Sequence, residues 1–379
     1  MDIKTLRERI DKVDDEITRL FGERMDVSRL VAEYKQENKL PVFDRGRERE
    51  VLSRVTEGAS PEMQVYIKTL FQTLFSLSRS YQSALFAKDN PLAERIAQAA
   101  ENTPAQFPAK AVVACQGVEG AYSQIAADKL FSLPNIMYFN TFEGVFQAVE
   151  RGLCRYGILP IENSSHGSVT QVYDLMKQHN FHIVRGLKLK IDHFLLAKNG
   201  VKLADIKEIF SHEQAIGQCS VFLENLKGVK VTVVENTAAA ARLVAESERA
   251  DVAAISSRDC AELYALSALG VHVQNSANNY TRFICISKTL EIYPGANKIS
   301  LMLSLPHRPG SLYETISKFS VLGLNLTKLE SRPVPDKDFE FMFYFDMDAN
   351  VQSPQVIGLL CELSSGSEQF VFLGNYFET

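Results

Sequence analysis

The chain has 379 residues, enough for two or three domains at roughly 150 residues each, and its 46 acidic and 41 basic residues leave a net charge of −5. A balance this mild and interspersed excludes a nucleic-acid footprint, and no run approaches the ~18 apolar residues of a membrane-spanning helix. The N-terminus, MDIKTLRERIDKVDDE, is charged from its second residue and lacks the apolar core of a signal peptide, so a cytoplasmic protein with no membrane partner is expected.

From Leu6 the apolar residues fall at Leu6, Ile10, Val13, Ile17, Leu20, Val27, Val31 and Tyr34, a 3-4 alternation that predicts one long helix. At 1.5 Å per residue it reaches roughly 50 Å, more than a small domain can cover, so a partner chain is expected along its stripe. Arg24 stands where that pattern asks for an apolar side chain. Either it forms an interhelical ion pair or fixes the register, or it meets an anion. Arg7 and Lys35 border the same seam. After Pro41, FDRGRERE places Asp44, Arg47 and Glu48 at the entry to a second helix, where caps and surface ion pairs are ordinary. A third helix, from about Pro61 to Phe86, aligns Leu74, Ser78 and Gln82 at i, i+4 and i+8, so Ser78 and Gln82 point the same way.

The segments LRERIDKVDDEITRLFGERMDVS, PVFDRGRERE and LSRSYQ resemble the helical chorismate mutase domain of bacterial phenylalanine biosynthesis, over residues 1–88. The resemblance implies an all-α, intertwined dimer. Its reaction is pericyclic, so the site needs oriented cations and hydrogen-bond donors but no nucleophile or general base. By residue-to-residue correspondence, Arg7 would reach the partner's site, Arg24 and Arg47 would hold or organise carboxylates, and Ser78 would add a hydroxyl contact. Lys35 and Gln82 would face the breaking ether oxygen, and Asp44 and Glu48 would hold the substrate hydroxyl.

Residues 87–110 are polar and proline-marked around a short helical patch at Leu92–Ala100, and read as a linker. Strand-like and helical runs then alternate through AVVACQGV, a helix near Ser123–Leu130, IMYFNTF, a helix through Val145–Val149, YGILPIEN, FHIVRGLKLKIDHFLLA, IKEIFSH, VKVTVVEN, an alanine-rich helix, DVAAISS, VHVQN and TRFICIS. This is an α/β pattern, and two lobes with a cleft between them are expected. In YGILPIENSSHGSV, Glu162, Asn163 and the serines gather where a strand stops. That is the place of a capped turn or, in an open α/β domain, of a ligand. NNYTRF, more than a hundred residues later, brings Thr281 and Arg282 to the head of another apolar run. No GxGxxG or GxxxxGK[ST] occurs, so no nicotinamide or nucleotide cofactor is expected. The six cysteines show no CxxC spacing and read as reduced core thiols, and the one close histidine pair, His179 and His182, lacks a completing carboxylate, so no metal is expected.

Five motifs in order, GVEGAYS, PIENSSHGSV, SHEQAIGQC, AAISS and NNYTRF, together resemble prephenate dehydratase. The resemblance implies a two-lobed, periplasmic-binding-protein-like domain over residues 109–290 that removes carbon dioxide and water from prephenate. It makes Thr281 the proton donor to the leaving hydroxyl, Asn163, Ser211 and Gln218 positioning donors, and Glu162 a neighbour. Arg282 would serve the carboxylates or brace the loop. SHEQ departs from the family's commoner SHPQ, and Glu213 adds a negative charge near an anion site.

From Ile299 the order is strand, helix, strand, strand (from Phe339), helix, strand, the α+β ferredoxin-like plan. PGSLYETI and LESRPV fit an ordinary helix start and a proline-capped strand. They also resemble the paired motifs of the phenylalanine-binding ACT regulatory domain, here residues 297–379. Gly310 lets backbone approach a ligand, and the N–H groups at the helix start favour a carboxylate. Phenylalanine would bind at Gly310, Ser311, Leu312, Glu330, Ser331, Arg332 and Pro333, between two chains. The whole reads as a multidomain, bifunctional enzyme that takes chorismate to prephenate and then to phenylpyruvate, without a cofactor, as a homodimer or homotetramer inhibited by L-phenylalanine. The rival from another class is a non-catalytic amino-acid sensor, an α/β binding module joined to an ACT domain.

Overall fold

In the computed structural model, which describes residues 2–38, 40–85, 90–307, 309–334 and 340–379, the apolar repeat of the N-terminal segment becomes one helix, α1 (Ile3–Glu37). Asp2 caps it, accepting from the Thr5 backbone N–H at 2.8 Å. α2 (Arg45–Glu57) begins where Asp44 accepts from the Arg47 N–H at 3.0 Å, the cap that FDRGRERE predicts. α3 (Pro61–Leu85) opens on a proline, whose missing N–H would be unbonded there in any case. Its expected last residue, Phe86, lies outside the described residues, as do residues 87–89 of the segment read as a linker. α4 (Pro91–Asn102) fills much of that segment and buries Ala93 and Ile96.

The chain divides into two compact units, Met1–Gln98 with Leu301–Val371 and Ala99–Ser300 with Phe372–Thr379. In the second, one lobe is built from β1 (Lys110–Gln116), α5 (Tyr122–Leu130), β2 (Leu133–Phe139), α6 (Phe142–Glu150), β3 (Tyr156–Asn163), β4 (Gly167–Ser168), α7 (Thr170–Met176) and β5 (His182–Lys190). The other contains β6 (Phe194–Ala197), β7 (Glu208–Ser211), α8 (Glu213–Gln218), α9 (Ser220–Glu224), β8 (Lys230–Val233), α10 (Thr237–Glu246), β9 (Val252–Ser256), α11 (Arg258–Leu263) and β10 (Ser267–Gly270). The chain then returns to the first lobe as β11 (Tyr280–Ser287). Two short connections, 191–193 and 271–279, therefore join the lobes.

The first lobe's strands run in the order β5-β11-β3-β1-β2, and the second lobe's in the order β10-β6-β9-β7-β8. Every residue of β9 is buried, as its unbroken VAAIS run requires of a strand covered on both faces. α6 lies so close on β3 that a Cβ at Gly157 would sit 2.8 Å from Val145. The expected strand VHVQN is corrected: residues 271–275 run as bends, and the strand is the preceding β10. His272 takes a φ of 50°, a left-handed conformation that ends a strand ladder.

The remaining elements are β12 (Lys298–Ser304), α12 (Ser311–Val321), β13 (Asn325–Pro333), β14 (Phe341–Asp348), α13 (Pro354–Gly366) and β15 (Phe370–Glu378), in the expected order. Phe339, foreseen as the start of β14, lies outside the described residues. Within the first unit β13 and β14 pair antiparallel, and α13 packs on α3 so tightly that a Cβ at Gly358 would lie 2.8 Å from Ala84. In the second unit Phe377 and Glu378 of β15 pair parallel with Arg185 and Gly186 of β5.

Candidate functional site

Two polar constellations stand out, one in each unit. In the first unit Arg24 of α1 donates to the Leu74 carbonyl at 3.3 Å and to the Ser78 hydroxyl of α3, and its guanidinium lies over the Phe75 ring at 5.9 Å. Burial lowers its pKa, while the Glu48 carboxylate works in the opposite direction. One helical turn further along α3, the Gln82 amide donates to the Ser28 hydroxyl at 2.8 Å. Its Oε1 is buried without a partner among the described residues. Lys35 reaches the Val42 carbonyl at 2.6 Å, and Glu48 pairs with Arg79.

Of the residues expected here, Arg24, Ser78, Gln82 and Glu48 lie on facing helices. Arg47 pairs with Glu50 at 2.8 Å in an exposed position, and the Asp44 carboxylate caps α2. Arg7 is exposed near the start of α1. The apolar stripe of α1 is exposed as well, with Ile10, Val13, Ile17 and Val27 each more than half accessible.

In the second unit the site follows from a break in a strand ladder. Pro160 has no N–H to give, and the β3–β11 register shifts by one residue between Arg282 and Phe283. The shift sets Thr281 directly opposite Asn163 and Arg282 opposite Glu162. The Asn163 Oδ1 accepts from the backbone N–H groups of Ser165 and His166 at 2.9 and 3.1 Å, and this fixes which end of its amide is which. Its Nδ2 therefore faces the Thr281 hydroxyl at 3.0 Å and the Asn279 Oδ1 at 2.9 Å. The next links are forced in turn: Asn279 donates to the Gln218 Oε1 at 2.9 Å, and the Gln218 Nε2 meets the His166 Nδ1 at 3.2 Å. The ring closes, because the His166 N–H is one of the two donors that orient Asn163. It ties the first lobe (Asn163, His166) to α8 of the second (Gln218), beside a cavity of about 160 Å³ lined by Ser165, His166, Gln218 and Asn279.

Thr281, Asn163 and Gln218 are thus brought together. Ser211 is fully buried, and its hydroxyl donates to the Ile255 carbonyl at 2.8 Å. Arg282 does not join them. Successive residues of a strand face opposite sides, and its guanidinium bonds the Tyr376 hydroxyl at 2.9 Å and the Glu378 carboxylate. Asn279, His166 and Ser28 were not singled out in the sequence as site residues, although all three lie inside quoted motifs. Of the third cluster, Gly310 is the N-cap of α12 with φ 90°, Ser311 donates to the Pro306 carbonyl at 2.6 Å, Leu312 follows in the first turn of α12, and Glu330, Ser331, Arg332 and Pro333 end β13. No group of three or more His, Cys, Asp or Glu residues with metal-binding geometry occurs among the described residues.

Comparison with known proteins bears on both constellations. The family model described as Chorismate mutase type II matches residues 6–83, and the one described as Prephenate dehydratase matches residues 113–291. The chain is 32% identical to the bifunctional chorismate mutase/prephenate dehydratase of Escherichia coli (strain K12), across 98% of this chain and 95% of that one. It is 36% identical to arogenate dehydratase 2 of Petunia hybrida, across 76% and 77%. The crystal structure of prephenate dehydratase in complex with L-Phe from Arthrobacter aurescens matches with a TM-score of 0.65 at 28% identity, across 70% of this chain and 89% of that one.

Proposed function

The chain belongs to the bifunctional chorismate mutase/prephenate dehydratase family, and from that premise we propose how its residues divide the chemistry. It converts chorismate to prephenate and prephenate to phenylpyruvate in phenylalanine biosynthesis, and phenylalanine feeds back on it. The domain reading is a mutase at 1–88, a dehydratase at 109–290 and an ACT domain at 297–379.

In the mutase, Arg24 and Lys35 meet the carboxylates and the developing charge on the ether oxygen as the C–O bond breaks and the C–C bond forms. Gln82 supplies the second donor at that oxygen. Its amide turns over without loss at Ser28, because a hydroxyl accepts and donates equally well, and the turn presents an N–H on the side where Oε1 is unpartnered. A second copy of the chain covers the exposed stripe of α1 and brings Arg7 to the neighbouring site, which makes a homodimer the minimal assembly. A cytoplasmic location fits the absence, among the described residues, of a helix long and apolar enough to cross a membrane.

The dehydratase reading is carried by a single observation: the Thr281 hydroxyl accepts from an Asn163 amide whose orientation is fixed by backbone donors. A hydroxyl that accepts a hydrogen bond becomes a better donor, and its own proton is left to point at the substrate. The proton goes to the departing ring hydroxyl, which leaves as water, and Thr281 regains a proton from solvent. The C–C bond to the ring carboxylate breaks, carbon dioxide leaves, and the electron pair completes the aromatic ring. Asn163 holds Thr281 in position, Gln218 holds the substrate, and Arg282 braces the strand that carries Thr281. Phenylalanine binds with its carboxylate at the α12 start near Gly310 and its remainder against the end of β13 from a facing chain.

Supplying the purified protein with chorismate, and separately with prephenate, tests the reading. Phenylpyruvate is expected from both. The sensor alternative, which the family membership does not favour, predicts binding without product from either.

A further inference from the structure

The amide ring of the dehydratase site has one more member, which no motif in the sequence marks. His193 lies on the first connection between the lobes and is 2% exposed. Its Nε2 stands 2.7 Å from the Gln218 Oε1. Because the ring forces that oxygen to be an acceptor, the His193 Nε2 carries the proton. Its Nδ1 is buried without a partner among the described residues, so an imidazolium there would bury both a charge and an unbonded N–H. Burial accordingly depresses the pKa of His193, and the ring is a fixed neutral donor.

The backbone of His193 is tied as firmly. Its N–H donates to the Gln274 Oε1 and its carbonyl accepts from the Val273 N–H, each at 2.9 Å, so it fastens both interlobe connections to each other. The Asn275 N–H donates to the Gln218 carbonyl at 2.6 Å, which holds α8 against the same crossing. Tyr122 packs edge-on to the imidazole at 6.2 Å.

We propose that His193 is a positioning residue for prephenate dehydration: its Nε2–H and the Asn279 amide together clamp the Gln218 oxygen, which leaves the second Nε2 hydrogen of Gln218 to meet the substrate. The proposal rests on Gln218 belonging to the dehydratase site. Two amides of matched polarity decide it. In His193→Gln the side-chain nitrogen reaches the place of the imidazole Nε2, and in His193→Asn it stops at the place of Nδ1. The expected result is kcat/KM for prephenate within about threefold of the parent for His193→Gln and roughly tenfold or more lower for His193→Asn, the loss of about one hydrogen bond to a positioned group. The mutase rate of the same chains is expected to stay unchanged. Equal dehydratase activity in the two variants overturns the proposal. Gln218→Ala separates it from the reading beneath it: if that variant dehydrates prephenate normally, the site assignment fails, whereas an inactive Gln218→Ala beside equal His193 variants sinks only the role of His193. Should neither amide variant fold, nitrogen NMR of the histidine-labelled parent still decides. A neutral His193 with its proton on Nε2 supports the proposal, and the opposite tautomer contradicts it.

Discussion

Arg282 and Glu378 form an ion pair in which the side chains are only 7% and 5% exposed. Ninety-six residues separate them. Lys298 at 3.2 Å and Lys188 at 3.3 Å complete the charge around the carboxylate. Removing one partner of a buried pair leaves the others uncompensated, so Glu378→Ala is expected to destabilise the folded chain by about 3–5 kcal/mol, read as a lower denaturant midpoint. Burial works against the Glu378 charge, but Arg282 and Lys298 prevail and hold its pKa below the ordinary 4.5. A carboxylate with a depressed folded pKa contributes stability that is present above its unfolded pKa and lost as pH falls through the folded value. Stability should therefore drop on acidification below about pH 4.5, and this part of the drop should be missing from Glu378→Gln.

Lys35→Ala is expected to abolish the mutase step while added prephenate is still dehydrated. A cation at a developing oxyanion is worth ~3 kcal/mol or more, over a hundredfold in rate, and the dehydratase ring uses none of the same residues. Separate assays with chorismate and with prephenate check this. Joint loss of both activities in a folded protein would contradict the assignment of two sites.

Gly310→Val is expected to remove inhibition by phenylalanine and to leave uninhibited turnover near the parent value. Nothing lies within 4 Å of the position its Cβ would take, so the obstacle is the backbone. At φ 90° a β-branched residue is strained by about 1–2 kcal/mol, and the helix start would shift away from a ligand carboxylate. Calorimetric titration of phenylalanine should show binding lost. Because coupling of affinities is reciprocal, phenylalanine bound to the parent should weaken a prephenate analogue by the factor with which the analogue weakens phenylalanine.

What was legible in the sequence divides along physical lines. The first unit's helices were readable because a 3.6-residue period runs through them, and the interruption at Arg24 and the Ser78–Gln82 row are consequences of that same period. The partners of these residues were not: Ser28 beneath Gln82 and Arg79 beside Glu48 depend on how helices fifty and thirty residues apart are turned toward each other. The same holds for the interlobe ring, which closes through three chain segments, 163–166, 218 and 279, and has no local pattern. VHVQN alternates like a strand, yet the left-handed His272 bends it. α7, after PIENSSHGSV, went unforeseen because its polar entry reads as loop. Arg282 was left between two roles by its motif, and only the return of the C-terminal strand supplies Glu378.

The most direct test of the whole account is the product balance of Thr281→Ala given chorismate. The account predicts a chain that folds, rearranges chorismate at the parent rate and accumulates prephenate, with phenylpyruvate formation down at least a hundredfold, about 3 kcal/mol for a donor used in the transition state. A hydroxyl that merely caps a strand contributes only about 1 kcal/mol of stability. A slightly less stable Thr281→Ala chain that still makes phenylpyruvate at the parent rate would contradict the account.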